Sequence, residues 1–335
     1  MNRIKWIDYA KAFAIYAVLV IHTHCDVGIT KICNAIALPL FFFISGYLFS
    51  FERHKTFRPF LYKRFRQLII PYLWINAVAY LFWITIGRHF GEDAASGLAW
   101  YEPLVGIALG IGPKLAHDIP LWSLLSFFVV EMAYYWGYRI LRSNRVLLIF
   151  FLMISWLMGV YHEYTSALPL TLGPTMSGLF FYTLGHSFKS INLLTKLSTH
   201  LNTIAIAAIL GIFVLIAEIN SEVNFYICQY GNFILFVLAA LFGIAGIIML
   251  SIKIGKWLGE RKVISIISVG TLLICGFHLM VFSLMKGFAY FIFHIPPSAM
   301  TAGPVRGLLF ALVGLLLCIP IVMFIEKYLR VLTDK

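Results

Sequence analysis

Charge is scarce in this sequence. Only 12% of its residues are Asp, Glu, Lys or Arg, about half the share of a soluble globular chain. Hydrophobic residues make up 61%, and mean hydropathy is +0.90. So few charges cannot clothe a water-facing surface over 335 residues, which excludes a soluble enzyme. Acids are rarer than bases, 14 against 26, and the net charge is +12. The cations stand in short runs between apolar segments rather than along a soluble stripe. Nucleic acid is therefore not an expected partner. Such runs encode membrane topology, and they leave room for some loop cations to bind an anionic ligand.

Other signals are missing too. Cys25, Cys33, Cys228, Cys275 and Cys318 lie in or beside apolar stretches, with no C-x-x-C pair. They read as small buried residues, not as a disulfide framework or a metal site. There is no H-E-x-x-H or comparable spacing, so no metal is expected. The first apolar stretch lacks a small-residue cleavage site and is followed at once by another, so no removable signal peptide is expected. No internal repeat, low-complexity tract or appended soluble domain is visible. The expectation is one membrane-embedded domain over residues 1–335.

What is present is a series of apolar runs. They fall at 8–28, 32–51, 67–86, 120–140, 146–161, 171–188, 201–219, 227–252, 263–285 and 305–325. Each is read as a membrane helix, giving an all-α, polytopic protein of about ten transmembrane helices. Lys31, Arg88, Lys114, Lys286 and Arg306 are the only cations in the loops on one side; the rest of the 26 fall on the other. The positive-inside rule then puts both termini in the cytoplasm. The longest outer segment, 87–119, contains WYEPLVGIALGIG. It is too short to span and predicts a re-entrant or interfacial piece.

The first run carries ionisable groups: Asp8, Lys11, His22, His24 and Asp26. On one continuous helix Lys11 and His22 share a face, about 16 Å apart along the axis. Asp8 and Asp26 can join that face, whereas His24 falls on another. Snorkelling of Lys11 and an interfacial role for His22 are the bland alternatives. Ionisable residues inside a membrane are nevertheless functional candidates. Arg64 and Arg66 stand at the mouth of the third run, with Pro71 placed to bend it. Cations there suit a phosphate-bearing ligand or mere topology. Glu131 falls inside the fourth run and needs a partner or a raised pKa. His278 lies deep in the ninth.

These residues and their neighbours resemble the membrane acyltransferase-3 family, within it the smaller O-acetyltransferases similar to fucose 4-O-acetylase. The resemblance rests on Asp8-x-x-Lys11 followed ten positions later by His22. It rests also on PLFFFISGYL at 39–48, Arg64 and Arg66 before Pro71, LWSL at 121–124, and Thr271 to His278. Many relatives have arginine in place of Lys11, and the lysine keeps the charge without the bidentate fork.

The resemblance implies transfer of an acetyl group from cytoplasmic acetyl-CoA to a hydroxyl of a cell-surface polysaccharide or lipid-linked glycan. It implies a multi-pass protein of the cell membrane. Membrane lipids and proteins of polysaccharide assembly are its other expected partners. On this reading His22 is the general base, with an acetyl-histidine relay as the variant. Asp26 orients it, and Glu131 and His278 join the catalytic set, His278 polarising the thioester carbonyl or shaping the acceptor pocket. Lys11, Arg64, Arg66 and Asp8 hold the CoA, while Trp122, Ser123 and Ser45 meet the acceptor. Two other classes stay open: a proton-coupled exporter of a small anion or glycan, and a scaffold with dead catalytic residues.

Overall fold

The computed structural model describes residues 4–89, 97–115, 117–190 and 202–329. Among them there is no β-strand, only an isolated bridge between Asn224 and Gln229. The helices are α1 (Lys5–Ile21), α2 (Val27–Leu48), α3 (Phe57–Arg64), α4 (Ile70–Thr85), α5 (Glu102–Leu109) and α6 (Trp122–Leu141). They continue with α7 (Asn144–Val160), α8 (Leu172–Ser190), α9 (Thr203–Ile219), α10 (Phe233–Leu258), α11 (Lys262–Phe293) and α12 (Pro304–Tyr328). Two one-turn helices, His162–Thr165 and Pro297–Thr301, sit in the connections.

The helix ends follow local chemistry. Asp26, Ser143, Asn202 and Asn232 cap α2, α7, α9 and α10 by accepting hydrogen bonds from free amides of the first turn. A five-residue π turn, Phe65–Ile69, joins α3 to α4. It lies just before Pro71, which has no amide to offer the preceding turn. Arg64 is thereby carried on a continuous but locally widened helix.

Each predicted apolar run overlaps a helix, and among the described residues six helical segments are long and apolar enough to cross a membrane: Val27–Leu48, Phe57–His89, Ile119–Leu141, Phe233–Leu258, Lys262–Phe293 and Pro304–Tyr328. α7 and α9 are apolar but have only 17 residues each. α1 has 17 residues and holds Asp8 and Lys11. α8 buries Thr175, Ser177 and Thr183. Large apolar side chains such as Ile149, Phe150, Met153, Leu309, Leu316 and Phe324 face outward. Water would penalise that surface and lipid accepts it. The protein is a multi-pass helical membrane protein.

Several boundaries differ from expectation. The first helix stops at Ile21 rather than 28. The Thr23 hydroxyl donates to the Val20 carbonyl (2.8 Å), His24 takes φ of 51°, and Asp26 starts α2. The eighth run begins its helix only at Phe233, because Cys228 and Gly231 adopt positive φ in the preceding loop. α11 continues to Phe293, ending at His294 with φ of 54°. In the 87–119 segment, residues 90–96 and 116 lie outside the described residues. The part containing α5 is folded back on α4, where the Tyr72 hydroxyl donates to the Ile107 carbonyl (2.9 Å). The five cysteines are free thiols.

Two packed regions flank α1 and α2. One is built on α2, α6, α8 and α10, the other on α1, α4, α11 and α12. The α2–α8 contact is a backbone-to-backbone crossing. A methyl group on Gly46 would overlap the Tyr182 carbonyl, and one on Gly185 would overlap that of Phe43. Small residues permit such an approach between membrane helices. Hydroxyl pairs add polar ties between helices: Ser126 with Thr175 (3.0 Å) and Ser155 with Ser177 (2.7 Å).

Candidate functional site

Between the two packed regions lies a cavity of about 450 Å³. Lys11, His22, Ser45, Arg64, Trp122, Ser123 and Glu131 all line it. Their order along three helices gives the cavity a direction. On α1 the series runs from Lys11 to His22, on α2 from Ser45 back to Asn34 and Thr30, and on α6 from Glu131 back to Trp122. Lys11 to His22 covers about 16 Å, roughly half of a 30 Å hydrocarbon core. One end is therefore cationic with a carboxylate, and the other carries imidazole, amide and aromatic groups.

At the cationic end, Arg64 Nε lies 2.6 Å from a carboxylate oxygen of Glu131. The arginine side chain is 24% exposed and the glutamate 7%. Arg64 Nη1 also donates to Gln67 Oε1 (2.9 Å). The ion pair and the Nη1 bond to Gln67 anchor the guanidinium and leave further N–H groups for an anion. The nearby loop is electropositive. Burial, then the charges of Arg64, Lys63 and Arg53, bring His54 down to about 4.

Arg66 does not share this place. Residues two apart do not face the same way on a helix, and the Arg66 guanidinium lies over the Tyr62 ring at 5.8 Å, outside the cavity lining. Asp8 is buried one turn before Lys11 and is likewise absent from the lining.

His22 closes the C-terminal end of α1: its amide donates to the Leu19 carbonyl (3.2 Å), and the next amide, that of Thr23, donates to the Val20 carbonyl (3.0 Å). Its ring stands 5.1 Å from that of His278, centre to centre. His278 is fully buried. Its Nδ1 faces the carbonyls of Ile274 (3.0 Å) and Cys275 (2.9 Å), so Nδ1 carries the hydrogen. His278 is absent from the cavity lining. It packs behind His22.

Asp26 requires a correction. Because α1 ends at Ile21, Asp26 is not on the face of His22. Its Oδ1 accepts the Ile29 amide (3.0 Å) and its side chain is exposed, so it is the cap of α2 rather than the orienter of the imidazole. His24 is corrected in the opposite sense: the turn brings it into the cavity lining.

Sequence reasoning missed Thr30, Asn34, Glu222, Asn224 and Tyr226, all in the lining. The first two had a signal. Asn34 and Ser45 are eleven residues apart on α2, the same spacing as Lys11 and His22. The last three come from the loop between α9 and α10, and nothing local marks them. Among the described residues no group of three or more His, Cys, Asp or Glu is placed to hold a metal ion.

The fold and the cavity define a multi-pass membrane protein with cationic, carboxylate and imidazole groups gathered in one intramembrane space. A family model described as an acyltransferase domain matches residues 4–323, which include every residue of the cavity lining. The chain belongs to this acyltransferase-3 family. No curated protein and no solved structure gives a match.

Proposed function

We propose that the protein acetylates a hydroxyl of a cell-surface polysaccharide or lipid-linked glycan, using acetyl-CoA from the cytoplasm. The observation that carries this reading is the shared cavity of Lys11, Arg64, Glu131 and His22. Lys11 and Arg64 hold phosphates of the donor at the cationic end. The pantetheine arm extends along α1 and presents the thioester near His22. A sugar hydroxyl is a poor nucleophile at neutral pH, so a base in contact with it lowers the barrier. The hydroxyl oxygen attacks the thioester carbonyl carbon, and His22 takes its proton. The C–S bond then breaks, and the histidinium protonates the departing CoA thiolate. Base and acid are thereby regenerated without a metal.

In this reading the ten long helical segments all cross the membrane, with α3 and α4 counted as one, and both termini are cytoplasmic. The distribution of loop cations supports this. Family membership favours acyl transfer over the exporter reading. The fucose 4-O-acetylase-like motifs favour a carbohydrate acceptor and a place in the cell membrane beside polysaccharide-assembly proteins. Purified protein in proteoliposomes, given acetyl-labelled acetyl-CoA and lipid-linked glycans, should transfer label to a base-labile ester on sugar. Retention of all label on CoA would remove the proposal.

A further inference from the structure

The loop between α9 and α10 lines the end of the cavity farthest from Lys11, and its shape is held by several specific bonds. Asn220 is buried and clamps it. Its Nδ2 donates to the Tyr230 carbonyl (3.0 Å), and its Oδ1 accepts the amides of Ser221 (2.9 Å) and Asn232 (2.8 Å). Asn224 and Gln229 exchange backbone hydrogen bonds of 2.7 and 3.1 Å. Cys228 and Gly231 supply the positive φ that turns the chain. The result fixes Glu222, Asn224 and Tyr226 on the cavity rim without any of them serving the loop's own side-chain bonds.

The aromatic groups there form a platform. Trp122 is near-parallel to Phe225, with centroids 6.3 Å apart and planes at 17°, and 6.4 Å from Tyr226. Tyr226 lies against Gly112, where an added methyl carbon would come within 3.3 Å of its ring. Burial pushes the Tyr226 phenol up from its ordinary value, so it stays neutral. Flat rings offer an apolar face to the C–H side of a pyranose. Glu222 and Asn224 offer acceptors and a donor for hydroxyls. Among the described lining residues, the cations Lys11 and Arg64 belong to the opposite end, and the imidazole and carboxylate groups here are those of His22, His24 and the exposed Glu222. That balance disfavours a carboxylated or phosphorylated sugar at this position.

We infer that the loop between α9 and α10, through Tyr226, Glu222 and Asn224, is the acceptor-recognition element and selects an uncharged sugar ring. The inference rests on the acyltransferase reading for its meaning, but binding can be tested without transfer. Saturation-transfer NMR on the full chain in a sugar-free detergent should detect methyl glucoside or methyl galactoside and give little signal for methyl glucuronide. Tyr226→Ala should weaken binding of the neutral glycosides at least tenfold, and Tyr226→Phe should retain it. Glu222→Lys should turn the preference toward the glucuronide. CoA binding, followed in the same samples, reports an intact fold. If CoA does not bind the parent but the glycosides do, the donor assignment falls and this inference stands. Absence of any glycoside signal, equal signals in the parent and Tyr226→Ala, or a glucuronide preference in the parent would overturn it.

Discussion

Arg64 Nε and a carboxylate oxygen of Glu131 lie 2.6 Å apart, linking the segment before Pro71 to the middle of α6. Glu131 is buried and Arg64 half-buried, so neither charge can be rehydrated cheaply. Removing one partner of such a pair typically costs about 3–5 kcal/mol, because the other is left uncompensated. Glu131→Ala should lower the thermal midpoint clearly. Glu131→Gln, which keeps hydrogen-bonding capacity, should lower it less. Unfolding followed in detergent by circular dichroism distinguishes the two. Equal stability of Glu131→Ala and the parent would mean that the pair is not formed.

The two arginines of the basic segment should behave differently. Arg64 lines the cavity, whereas Arg66 lies over Tyr62. Charge-assisted hydrogen bonds are typically worth about 1.5–3 kcal/mol. Arg64→Ala should therefore weaken CoA binding by tenfold or more, and Arg66→Ala by less than threefold. Equilibrium binding of CoA to each variant checks this. Equal losses would return both cations to the donor site.

Asp26 is expected to matter for folding and not for chemistry. Loss of an N-cap costs about 1 kcal/mol. Asp26→Ala should show that drop in stability, while Asp26→Asn should show almost none. Acetyl transfer at saturating substrates should be near the parent rate in both. A rate loss of a hundredfold in Asp26→Asn would restore the residue to the catalytic set.

A buried polar pair outside the cavity gives a pH signature. Asn76 Nδ2 donates to the Tyr72 carbonyl (2.7 Å), so its Oδ1 accepts from His117 Nε2 (3.0 Å). Burial brings His117 from 6.5 down to about 4. The unfolded chain therefore binds a proton first, and stability is lost as pH falls from about 6.5 to about 4. The loss amounts to at most ~3 kcal/mol. Burial of neighbouring Asp118 raises its pKa, which works in the opposite sense, favouring the folded state as pH falls. Comparing the parent with His117→Gln isolates the histidine. The parent should lose stability relative to the variant between pH 6.5 and 4, and parallel curves would contradict the assignment.

The fold was legible where one physical rule dominates. Long apolar runs such as Phe233–Leu258 and Pro304–Tyr328 can be little else than membrane helices. Spacing along a helix was equally reliable: Lys11 and His22 meet one cavity because both lie on α1 or its cap. Legibility failed at the end of that helix. Nothing in IHTHCD is a strong breaker, so the turn that moves Asp26 away and His24 inward depends on Asp26 finding the free amides of α2. The PLFFFISGYL motif also changes meaning. Most of it is packing, with Gly46 set against Tyr182, and Ser45 and Phe41 are its contributions to the cavity. Glu222, Asn224 and Tyr226 reach the cavity through tertiary contact, which local pattern does not encode.

His22 is the residue on which the proposed transfer turns. Its ring lines the cavity, backed by His278 and sharing that cavity with Lys11 and Arg64. A general base typically contributes 10²–10⁴ in rate, about 3–5 kcal/mol. The most direct test is single-turnover transfer of labelled acetyl from acetyl-CoA to a glycan acceptor by His22→Gln, with CoA binding measured alongside. Glutamine can still hydrogen-bond but cannot take a proton at neutral pH. Transfer should be slowed at least a hundredfold, with CoA bound as tightly as by the parent. Transfer at the parent rate would contradict this and remove the imidazole from the mechanism.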